Sequence, residues 1–306
     1  MRAPLKTAVL FLVFNRPDTT IKIFEKIRQA KPPRLYVACD GPRENHKDDK
    51  EKITKIHNIL INVDWPCEVK TLFRDKNLGL KKGVSSAITW FFDHEEQGII
   101  LEDDCLPSSS FFWFCEELLD LYKNDKKIFM ITGFNKQNKW QVNNQDYFFS
   151  FFGGCWGWAS WRRAWKHYDP DLDHLDHMIK KDLFVSQMGE KLGNLRQKMF
   201  LQVKDHIASG KLDTWAYPWA LTRHKFGGIS CVPCKNLIQN IGFNEDATHT
   251  KNLNTKQVEK YEIEFPLKTN SNLICDHDYD LLFLKNSLIE RISRLFNKIF
   301  RIFGIM

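Results

Sequence analysis

The chain has 306 residues, 43% of them hydrophobic, with 24 phenylalanines, eight cysteines and a net charge of +7. That is enough apolar material for one large α/β domain, and the positive balance suits anionic partners without choosing among nucleotide diphosphate, acidic lipid and nucleic acid. Scattered cysteines in a chain too large to need staples point to reduced thiols and a cytoplasmic setting, while the lack of any run of 18 apolar residues excludes a membrane span.

Val9–Phe14 predicts the first strand, and the Asn15-Arg16-Pro17-Asp18 that follows does not resemble a signal-peptide cleavage site. Pro17 opens a helix over 18–30 with Thr20, Ile23, Phe24 and Ile27 on one face. Leu35–Cys39 predicts a second strand ending in the turn Asp40-Gly41-Pro42, followed by a charged helix over 46–61 and a strand over 68–73. Asn77-Leu78-Gly79 breaks the chain before a helix carrying Leu80, Val84, Ala87, Ile88 and Phe91. Gly98–Leu101 is a fully apolar run that reads as a buried strand, and Glu102-Asp103-Asp104 follows at once. An aromatic helix over 111–122 and a strand over 128–131 complete an alternation that predicts a mostly parallel, doubly wound sheet flanked by helices.

Beyond residue 136 the pattern is less regular: an aromatic strand over 147–152, a tryptophan-dense stretch over 153–165, a long helix near 190–209 and a helix start at Asp213-Thr214-Trp215. There is no internal repeat, so we read one domain over 1–250 and a C-terminal extension over 251–306. The extension ends in a basic amphipathic helix at 285–306, where Leu288, Ile292, Leu295, Phe296 and Ile299 oppose Arg291, Arg294, Lys298 and Arg301. Such a helix suits peripheral contact with a membrane or docking on protein.

Three predicted strand ends carry chemistry: Asn15-Arg16, Asp40-Gly41 and Glu102-Asp103-Asp104. Ligands of open α/β sheets bind outside the carboxyl ends of the strands. Consecutive carboxylates there repel one another unless a cation is present, and hard oxygen ligands suit Mg²⁺ or Mn²⁺. As an ordinary turn the same acids would only cap the next helix. Neither a dinucleotide fingerprint nor a P-loop is present, so a nucleotide would have to be held by side chains and a metal. Asp40 could accept from a base, and Arg16 could reach ribose or phosphate. Dispersed basic residues and the lack of a recognised module argue against nucleic acid. Cys231-x-x-Cys234 has no second pair, which argues against zinc.

This ordered set resembles the GT-A-fold (Rossmann-like) glycosyltransferases that use nucleotide sugars, in particular the N-acetylglucosaminyltransferase that initiates complex N-glycans and its bacterial glycosyltransferase-like relatives. The resemblance runs over about residues 7–245. Glu102-Asp103-Asp104 before Phe111-Phe112 looks like that family's metal motif, Gly157-Trp158 like its sugar-side Gly-Trp, and Leu212-Asp213-Thr214-Trp215 like the segment bearing its base. The resemblance implies Asp104 as ligand to Mn²⁺ or Mg²⁺, Asp103 and Glu102 as contacts to ribose or sugar, and Asp213 as base of an inverting transfer from a UDP-sugar to a glycan or lipid-linked hydroxyl. Thr214 stands where the family often has a second acid, so the base rests on Asp213. Lys81 falls near the expected nucleotide, Trp158 and Trp215 are expected to line the cleft, and His249, in a polar loop, is a candidate metal ligand. A sugar-phosphate nucleotidyltransferase shares this layout, but Asn15-Arg16-Pro17 lacks its glycine-rich basic signature. A non-catalytic membrane-associated protein whose acids bind a structural ion is the remaining alternative.

Overall fold

The computed structural model describes residues 3–140, 144–242, 258–269 and 272–285. The first half is the expected alternation: β1 (Val9–Val13), α1 (Pro17–Ala30), β2 (Arg34–Cys39), α2 (Asp49–Leu60), β3 (Glu68–Phe73), α3 (Gly79–His94) and β4 (Gln97–Glu102). There follow β5 (Cys105–Pro107), α4 (Phe111–Leu121), β6 (Ile128–Thr132), β7 (Tyr147–Ser150) and β8 (Trp158–Trp161). Three short helices, α5 (Arg162–Trp165), α6 (Leu175–Lys180) and α7 (Leu183–Met188), lead to α8 (Glu190–Ala208), α9 (Ala216–Lys225), β9 (Ile229–Pro233) and β10 (Ile238–Asn240).

The main sheet has eight strands in the order β3-β2-β1-β4-β8-β6-β9-β7, and β5 pairs with β10 in a separate ribbon. β1, β2, β3 and β4 are mutually parallel, β6 runs parallel to β9, and β8 and β7 run against their neighbours. The architecture is therefore α/β with a mostly parallel mixed sheet.

Strand periodicity divides the core. Val9, Phe11 and Val13 face one cluster with Ile23 and Ile27 of α1, Ile56 of α2 and Phe111, Phe114 and Leu118 of α4. Ala8, Leu10 and Leu12 face the other, with Ala87, Ile88 and Phe91 of α3 and Trp219 of α9. Both faces of β1 are thus covered, which is why its sequence is apolar throughout rather than alternating.

The described residues between 258 and 285 make contacts with the preceding elements. Glu262 accepts from the N–H groups of Ser109 and Ser110 at the start of α4, at 2.8 and 2.7 Å, and Asn236 donates to the carbonyl of Glu259 at 2.7 Å. A helix over 277–285 brings Asp280, fully buried, to the hydroxyl of Ser150. Residues 286–306, with nearly all of the amphipathic stripe, and His249 lie outside the described residues. Among the described residues no helix is long and apolar enough to cross a membrane, and no disulfide joins any of the eight cysteines.

Candidate functional site

Asn15-Arg16, at the end of β1, and Glu102-Asp103-Asp104, at the end of β4, lie side by side because those strands pair in parallel up to Leu12 and Glu102. Arg16 Nη1 stands 2.7 Å from Asp103 Oδ1 and 2.9 Å from Asp104 Oδ2. Asp103 also accepts the Phe14 N–H through Oδ2, at 3.1 Å. Asp104 Oδ1 meets the Cys105 thiol at 3.3 Å, its one partner among the described residues. Gly242 closes over this carboxylate, for a Cβ there would stand 2.5 Å from Asp104 Oδ2.

Glu102 and Asp103 are held where burial disfavours ionisation. Burial, with Asp104 and Asp103 adding repulsion, lifts the Glu102 carboxyl to about 8 against the pull of Arg16. Asp103 is lifted to about 6, again chiefly by burial, with Arg16 and the Phe14 N–H opposing. Burial opposes the Arg16 charge, but Asp103, Asp104 and Glu102 outweigh it and raise its pKa.

A second group of contacts fixes the neighbouring loops. Asn15 donates to Asp49 Oδ1 at 2.8 Å, and Arg43 grips the same carboxylate through Nε and Nη2 at 2.7 and 2.9 Å. Asp49 thus ties the end of β1 to the loop after β2, a role its sequence context at a helix start did not signal. Asp40 accepts from its neighbour Gly41 at 3.1 Å and from Leu78 N at 2.9 Å, and Asn77 donates to the Gly41 carbonyl at 2.9 Å. Burial raises the Asp40 pKa although these backbone bonds oppose the shift.

Asp213 does not head its own helix, which begins only at Ala216. Its carboxylate instead reaches α3, accepting from Leu80 N at 2.7 Å and Lys81 N at 3.1 Å. The helix start expected at Asp213 is corrected accordingly: the N–H of Gly79 is met by nearby Asn77, but those of Leu80 and Lys81 take their acceptor from a distant segment. Lys81 itself pairs with Asp171 at 2.8 Å.

The placement of Trp158 and Trp215 in a cleft is also corrected. Trp158 is 0% and Trp215 3% exposed, and their rings stack with centroids 5.8 Å apart. β8 lies between β4 and β6 with both faces covered, so Trp158 joins Trp165 and Trp219 in the core. Trp156, two residues before β8, is half-buried and edge-on to Phe134 at 4.7 Å.

Among the described residues no group of three or more His, Cys, Asp or Glu is gathered to hold a metal by itself. The donors nevertheless suit Mg²⁺ or Mn²⁺, which take one or two carboxylates and complete their shell with phosphate oxygens and water. Asp104 Oδ1 is the oxygen available for that purpose.

No family model matches the chain, and no curated protein matches it. Among solved structures, HddC from Yersinia pseudotuberculosis aligns with a TM-score of 0.30 and 9% identity, over 51% of this chain and 77% of that one. A UDP-glucose pyrophosphorylase complexed with UDP-glucose aligns with a TM-score of 0.26 and 11% identity, over 48% of this chain and 63% of that one. Likeness at this level does not establish a shared activity.

Proposed function

We propose that this protein is a metal-dependent glycosyltransferase that moves a sugar from a UDP-sugar to a hydroxyl of a glycan or lipid-linked acceptor. The observation that carries the reading is the convergence of Arg16 and Glu102-Asp103-Asp104 at the carboxyl edge of the parallel strands. Adjacent acids at a strand end are suited to receive a cation, and a guanidinium beside them is suited to a diphosphate.

In this reading Asp104 would hold Mn²⁺ or Mg²⁺, which when bound would supply stabilisation of charge on the departing diphosphate. Asn15, Arg16 and Asp40 address the nucleotide, Glu102 and Asp103 the ribose and sugar, and Asp213 accepts the proton of the acceptor hydroxyl. General-base assistance of this kind contributes about 10²–10⁴-fold.

The test is calorimetric titration of UDP, with and without Mn²⁺, into the native chain and Asp104→Ala. Mn²⁺-dependent binding abolished by the substitution is the expected result, to be followed by a screen of UDP-sugars for slow hydrolysis. Silence toward UDP, GDP and CDP in both metal conditions would remove the enzyme reading. Pyrophosphate release from UTP and a sugar 1-phosphate would replace it with a nucleotidyltransferase.

A further inference from the structure

We infer that Arg16 makes divalent-metal binding conditional on the arrival of a diphosphate. The inference rests on the proposed nucleotide-sugar reading and deepens it by assigning the order in which ligands enter.

One nitrogen of Arg16 serves two carboxylates at once, 2.7 Å from Asp103 and 2.9 Å from Asp104. It therefore occupies the electrostatic position that a metal ion at Asp104 would take. A second cation arriving alone must share Asp104 with the guanidinium or push it aside, and either step meets like-charge repulsion. The remaining N–H groups of Arg16 make no ion pair among the described residues, and the side chain is 26% exposed. They can turn to a phosphate oxygen without unfolding anything.

A nucleoside diphosphate resolves the conflict. Its oxygens offer the guanidinium a planar, bidentate partner and offer the ion the ligands that Asp104 alone does not supply. Metal and nucleotide then each strengthen the other's binding by the same factor, as linkage requires. The consequence for function is economy of the resting state: the acids stay neutralised by the protein's own cation, and the metal enters with its substrate.

The experiment is a titration of Mn²⁺, read by the loss of its free-ion electron paramagnetic resonance signal, into native protein, Arg16→Gln and Arg16→Lys, with and without UDP. A charge a few ångströms away shifts a carboxylate's proton affinity by about one to three pH units. By the same reasoning Arg16→Gln should bind Mn²⁺ without nucleotide about tenfold or more tightly than the native chain. Arg16→Lys, which keeps the charge, should stay near native, and UDP should tighten Mn²⁺ binding to the native chain by a larger factor than in Arg16→Gln, where only the phosphate ligands to the ion remain. Thermal melting of each variant separates these changes from misfolding, with Arg16→Lys as the folded control.

Unchanged Mn²⁺ affinity in Arg16→Gln overturns the inference whether or not UDP binds. Native affinity for Mn²⁺ that is already high without UDP, and unmoved by it, overturns it as well. Tighter Mn²⁺ binding in Arg16→Gln with no UDP binding to the native chain under any condition instead defeats the glycosyltransferase reading. Arg16 would then guard the metal site, and the coupling to nucleotide would be refuted.

Discussion

Asp49 is 2% exposed and accepts four hydrogen bonds, from Asn15 Nδ2 at 2.8 Å and from Arg43 N, Nε and Nη2 at 3.1, 2.7 and 2.9 Å. Asp49→Asn keeps the shape but turns one acceptor oxygen into a donor facing donors. A hydrogen bond to a charged group contributes about 1.5–3 kcal/mol, more when its loss strands a buried partner. The Arg43 side chain is 41% exposed, so water recovers part of what it loses. The variant should therefore lose about 2–3 kcal/mol at pH 7, measured by urea unfolding with tryptophan fluorescence and an unchanged slope. The pH dependence has a definite sign. Burial works against the Asp49 charge, but Arg43 and Asn15 more than compensate and hold its pKa below the usual carboxylate range. Its stabilisation is thus complete above the unfolded value near ~4 and fades as pH falls below it. The gap between native and variant should narrow as acid is added. A loss under about 0.5 kcal/mol at pH 7, within the range of an ordinary surface change, would show that the 40–49 loop is anchored elsewhere.

Asp280, pushed up to about 7 mainly by burial, should make the native chain lose stability as pH rises from about 4 through 7, by on the order of 4 kcal/mol at most. Asp280→Asn should flatten that limb in denaturation curves taken across the range; an identical slope would refute the assignment. Gly41→Ala would place a Cβ 2.5 Å from the backbone of Lys76. It should cost about 1–3 kcal/mol, and a midpoint equal to native would mean that the 74–78 loop yields freely. Asp213→Asn keeps one acceptor for α3, sets a donor against the other N–H, and cannot take a proton. It and Asp213→Ala should each lose about 1 kcal/mol, so that a loss of turnover beyond this common structural cost can be assigned to the proton transfer. Once a substrate is found, full turnover in Asp213→Asn would dismiss the base.

The alternation of the first 135 residues was legible because β1, β2, β4 and β6 are short, largely apolar runs and the helices between them show their own period. The position of Glu102-Asp103-Asp104 at the end of β4 followed from the apolar run alone. The tryptophans were not legible in the same way. Composition shows that Trp158 and Trp215 exist, but only the insertion of β8 between β4 and β6 decides that both faces there are covered. Nor could spacing join Asn15 to Asp49, since their contact depends on how the loop after β2 brings the start of α2 to the end of β1. The neighbouring strand ends did put a guanidinium opposite an acidic triplet, and that signal was present in Arg16 from the start.

The acids found at this edge are satisfied by two kinds of partner, and the difference bears on chemistry. Asp40 and Asp213, 38 and 133 residues from their partner at Leu78 and Leu80, both receive backbone N–H groups of the turn that starts α3. Those donors belong to the fold. Asp213 can release them only if the turn moves or if the acceptor hydroxyl approaches a lone pair they leave open. Asp103 accepts one backbone N–H, from Phe14, but it and Asp104 also share the Arg16 side chain, a quarter exposed, which rotates about its own bonds. Exchange of partners is therefore cheap at Arg16 and costly at the 77–81 turn. Ligand-dependent rearrangement should begin where the partner is a guanidinium, and any movement that frees Asp213 should follow it.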